Sequence, residues 1–173
     1  MKTNRLVMCG CVLAGLAFLP ATSAAAAVRD GVVQQETNSI FKDIQLEAGQ
    51  ARYHAERLKS IVERADAVSW VSDVNQLDQI RLAVNDMSRQ VSRLETIRQA
   101  AQPRQQKTID RIATDVTLLA DNTQDALAFG EAHRETLWVP TYQKYVNNLY
   151  TEAQNLAQSV RSAVQHSDAN SSD

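Results

Sequence analysis

Apolar side chains recur along this chain in steps of three and four, the spacing that sets them on one stripe of an α-helix. In the first long segment the stripe is Phe41, Ile44, Ala48, Ala51, Ala55, Leu58, Val62 and Ala65; in the second it is Trp70, Leu77, Ile80, Val84, Met87, Val91 and Leu94. A third runs through Ile109, Ile112, Val116, Leu119, Thr123 and Ala126, and a fourth through Val139, Tyr142, Val146, Leu149, Ala153, Leu156, Val160 and Ala163. Four helices with seven-residue repeats cannot hide such stripes alone and are best satisfied by coiled-coil-like packing against one another. The pattern predicts an all-α fold, an antiparallel up-down-up-down four-helix bundle with long helices over residues 40–66, 70–101, 104–137 and 141–165.

Short breaks fix that order, because short links join antiparallel neighbours. Ser69 has the chemistry of an N-cap for the second helix, and Pro103 and Pro140 fit the first turn of the third and fourth, where a missing N–H is tolerated. Residues 28–39, with Asp30-Gly31, read as a polar lead-in, and 167–173 as a disordered tail. Gly130 could cap the third helix. The stripe nevertheless continues through it to His133 and Leu137, and the lengths of helices one and two predict that helix three reaches Leu137 as well.

This topology brings the first and third connections to one end. Trp70 and Val71 should meet Leu137, Trp138, Val139 and Tyr142 there, either as an aromatic plug or as an exposed patch for a partner. His133 falls on the inward stripe within about one turn of Asp73, so a buried His133–Asp73 contact is predicted, with a structural role. Trp70, Asp73, His133, Trp138 and Tyr142 are thus the candidate binding residues. In mid-bundle Ala48, Ala51 and Ala55 leave helix one thin opposite Ile80, Val84 and Met87. Large residues facing small ones predict a close helix approach there, not a cavity.

The first residues change the compartment. MKTNRLVMCGCVLAGLAFLPATSAAAA joins Lys2 and Arg5 to an apolar run from Leu6 to Leu19 and ends in small residues, the pattern of a cleaved secretory signal over residues 1–27. At 14 residues the run is short of the about twenty needed to span a bilayer. Cys9 and Cys11 leave with the signal, so the mature chain has no disulfide and no thiolate ligand. Lys2 and Arg5 leave too, taking the 18 basic residues to 16 against 20 acidic ones, a net charge of −4 with histidines neutral. The signs are interspersed, which argues against nucleic acid, and no mature segment is apolar enough for an integral membrane helix.

Chemistry is sparse. His54 and His166 belong to no Glu-x-x-His pair, there is no Cys-x-x-Cys-His, and neither a Gly-x-Ser-x-Gly nor a phosphate-cradling loop occurs. Asp110, Asp115, Asp121 and Asp125 lie on outward faces. The sequence therefore predicts a periplasmic or secreted, non-enzymatic helical bundle without cofactor or metal. It would act as a scaffold or interaction module toward another envelope protein or toward itself. The alternative is a metal- or haem-binding bundle of the periplasm built on His133 or His54.

Overall fold

The computed structural model describes residues 22–64, 69–137 and 139–170, with side chains from Gly31 onward except those of Asp168 and Asn170. Residues 1–21, the connection 65–68, Trp138 and the last three residues lie outside these; residues 22–27, the end of the segment expected to be a cleaved signal, lie within the first helix. Four helices follow in order: α1 (Thr22–Val62), α2 (Trp70–Ile97), α3 (Pro103–Ala132) and α4 (Pro140–Asn170). A 3-10 turn, Arg98–Ala100, closes α2. Helix α1 packs on α2 and α4, and α3 packs on the same two, so neighbours in sequence are neighbours in space. The protein is an all-α antiparallel four-helix bundle.

All four stripes meet in one core. Phe41, Ile44, Ala48, Leu77, Ile80, Met87, Ile109, Ile112, Leu119, Val146, Leu149 and Leu156 are all buried there. Ala48, Ala51 and Ala55 are wholly buried, so the thin face of α1 is filled by close approach of its neighbours. Ala51→Leu should therefore lower stability by about 1–3 kcal/mol through overpacking, read from denaturant unfolding. A neutral substitution would instead reveal spare volume.

Helix α1 differs from expectation at its start. Residues 28–39, expected as a polar lead-in, lie within the helix, and Thr37 and Ile40 are fully buried. The stripe was hidden by Thr37, whose polar character is cancelled locally: its hydroxyl donates to the Val33 carbonyl at 2.8 Å, leaving the methyl for packing. Thr123 does the same in α3, donating to the Leu119 carbonyl at 2.6 Å.

The helix ends carry further corrections. Ser69 occupies the N-cap position with extended backbone, but its hydroxyl makes no capping bond, and its carbonyl accepts the Asp73 N–H at 2.9 Å. Helix α2 ends at Ile97 instead of 101, and α4 runs to Asn170 instead of 165. Pro103 and Pro140 open α3 and α4 as expected. Across the α2–α3 connection Arg98 grips Asp110 through two bonds of 2.6 Å each. That pairing raises the guanidinium pKa and lowers that of the carboxyl.

Helix α3 continues through Gly130, but it stops at Ala132, short of Leu137. His133 leaves the helical region at φ −128°, ψ 35°, and its N–H reaches back to the Phe129 and Gly130 carbonyls at 3.1 and 3.3 Å. Leu137 still reaches the core, 2% exposed, from the connection instead of from the helix. The reason for Gly130 lies across the bundle: a Cβ there would stand 2.3 Å from Cζ3 of Trp70. The glycine makes room for an indole.

Candidate functional site at the aromatic end

All four helices have a terminus at this end: α2 and α4 begin here, and α1 and α3 finish. Asp73 lies in the first turn of α2 one step before Leu77, so the stripe that buries Leu77 buries Asp73 as well. Tyr142 lies in the first turn of α4 one step before Val146. Both residues are 0% exposed.

The Tyr142 hydroxyl faces the Asp73 carboxyl, which lowers the acid's pKa by less than burial raises it. The contact lacks regular hydrogen-bond geometry, and neither Asp73 oxygen has another partner. Burial is therefore the larger effect, and it pushes the Asp73 pKa up to about 6. Burial and the nearby Asp73 charge together push the phenol above the usual tyrosine range.

His133 is the main correction. It was expected on the inward stripe against Asp73, but it is exposed, because α3 ends one residue earlier and the helical step is lost. Its ring stacks on Phe129, with centroids 4.1 Å apart and planes 13° apart. Its Nδ1–H donates to the Phe129 carbonyl at 2.9 Å. Tyr142 takes the place at Asp73 that His133 was expected to fill.

Phe129, absent from the expected residues, organises the aromatics. It lies 6.2 Å from Tyr142 and 5.5 Å from Tyr145, centroid to centroid. Its place one residue before Gly130 was the available signal. Trp70 is half-buried with its indole on Gly130, and the Arg134 guanidinium lies 5.7 Å from its ring centroid. Trp138 lies outside the described residues. Among the described residues Tyr142 and Leu137 are buried and Trp70, Phe129 and Tyr145 are partly covered, whereas Val71, expected to join them, is 68% exposed.

The remaining titratable groups are dispersed. His54 is half-buried on the flank of α1, with its Nδ1 2.9 Å from Gln76 Oε1 of α2. His166 is exposed near the end of α4 and reaches the Ser162 carbonyl at 2.7 Å. Among the described residues no three of His, Cys, Asp and Glu converge as metal ligands, and no helix is long and apolar enough to cross a membrane. Like Arg98–Asp110 and His54–Gln76, a further polar pair was not read from the sequence: Asn122 of α3 donates to Glu152 of α4 at 2.5 Å, and burial raises the Glu152 pKa.

The fold and its end layer define the class: a four-helix bundle with a buried acid–phenol pair beside partly covered aromatic side chains. No protein-family model, characterised protein or solved structure matches the chain.

Proposed function

We propose that this protein is exported and works in the cell envelope as a non-enzymatic scaffold or interaction module. The observation that carries the reading is the separation of its candidate chemistry from solvent. Asp73 and Tyr142 form a pair that no substrate can reach, while His133, which solvent does reach, is stacked on a phenylalanine away from them. Activity through binding then falls to the outer faces, where Leu46, Tyr53, Leu82 and Leu118 expose about half or more of their surface. The N-terminal sequence, basic then apolar then small, supports export.

Cell fractionation combined with crosslinking in the native cell tests this. The chain should leave the cytosol, lose its first 27 residues and be captured in a complex whose composition Asp73→Asn and His133→Ala leave unchanged. A cytosolic chain with an intact N-terminus, or a complex abolished by either variant while the fold persists, contradicts the proposal.

A further inference from the structure

The outer face of α1 carries a feature that its own fold does not use. Gly49 lies mid-helix, where glycine weakens a helix relative to alanine. At Gly130 the same weakness is explained, because an indole fills the space. At Gly49 a Cβ would meet nothing within 4 Å. Gly31 is equally open. Gly49 differs in its neighbours on the same face: three residues before it stands Leu46, 64% exposed, and four after it Tyr53, 49% exposed. Leucine, glycine and tyrosine at these steps form an apolar notch beside a ring, on the side of α1 turned away from the core.

We propose that this face is a self-association surface on which a second copy of the chain packs antiparallel, seating Tyr53 of each copy over the notch between Leu46 and Gly49 of the other. The inference deepens the interaction reading by naming the partner as this same chain.

Charge selects both the partner and its direction. Between residues 36 and 47, α1 carries Glu36, Asp43 and Glu47 against Lys42, a net −2; between 52 and its end at Val62 it carries Arg52, Arg57 and Lys59 against Glu56, a net +2. An antiparallel pair centred near Gln50 faces each half with its opposite, setting Asp43 against Arg57 twice by symmetry, while Glu36 is held by Arg93 of its own chain at 3.9 Å. A parallel pair would set every charge against itself. Beside Tyr53 a hollow of about 380 Å³ is lined by Tyr53, Glu56, Arg57, Ser60, Ile61 and Arg64, opposite the acidic half of the second copy. The Arg57 guanidinium already donates to the Tyr53 hydroxyl at 3.1 Å, which holds the ring on this face.

Sedimentation equilibrium of the purified mature chain, residues 28–173, tests the proposal. A concentration-dependent dimer is expected. Tyr53→Glu should weaken it at least about tenfold. Gly49→Leu should weaken it as much while leaving helicity and melting temperature equal or higher, since nothing in its own chain occupies that space. Asp43→Arg and Arg57→Asp should each weaken the dimer, and their combination should restore it. A monomer at every concentration, or a dimer indifferent to both Gly49→Leu and Tyr53→Glu, overturns the inference. If a monomeric chain is still captured by a different envelope protein, self-association is refuted and the broader interaction reading stands.

Discussion

At neutral pH, Asp73→Asn is expected to make the protein more stable than wild type, by about 3 kcal/mol at most. The acid is 0% exposed, and its folded pKa is about 6 against 3.8 when unfolded. Below the unfolded pKa the carboxyl is neutral in both states, so Asp and Asn should serve about equally. As pH rises from there toward 6 the unfolded chain releases its proton before the folded one does, and wild-type stability falls. Above that window wild type bears the full cost of a charge in the core, and the amide does not. Glu152 is raised in the same direction, so some of the slope should survive in the variant. Asp110, lowered by Arg98, acts oppositely: its stabilisation is lost as pH falls. Urea unfolding at pH 4 and pH 8 checks the difference. An Asn variant less stable than wild type at pH 8 would show that the two helix N-termini at this end hold the ionised carboxylate.

Gly130→Ala should destabilise the bundle by about 1–3 kcal/mol, although alanine is the better helix former. The added methyl would meet Trp70 Cζ3 at 2.3 Å and Cε3 and Cη2 at 3.1 Å each, so the indole or α3 must move. In a Trp70→Ala background the obstacle is gone, and the same change should stabilise by about 1 kcal/mol. A thermodynamic cycle over the four proteins reads this reversal of sign. Equal effects in both backgrounds would mean that Trp70 does not rest on Gly130.

The bundle was legible because its stripes are long and two of its three breaks are marked by proline. Every apolar residue from Phe41 to Val62 that the spacing placed inward is buried. What escaped was chemistry invisible to a two-letter pattern of polar and apolar. Thr37 counted as polar although its hydroxyl bonds its own helix, so the first helix was begun too late. The end of α3 was misplaced because Leu137 keeps the stripe's step while reaching the core from an irregular connection. That error carried His133 inward, and with it the expected partner of Asp73. The acid was identified correctly as inward, but choosing Tyr142 over His133 as its neighbour requires knowing where α3 stops, and Gly130 pointed to Trp70 only once their separation across the bundle was known.

The central claim is that this protein acts through its surface and not through a site within its core. A photoreactive residue placed at position 53, and in parallel at position 142, in the cell that makes the protein tests it most directly. The predicted result is an intermolecular protein adduct from position 53, at twice the mass of the chain if the partner is a second copy, and only intramolecular products from the sealed position 142. An adduct from position 142 to a small molecule, with none between proteins from position 53, would contradict it.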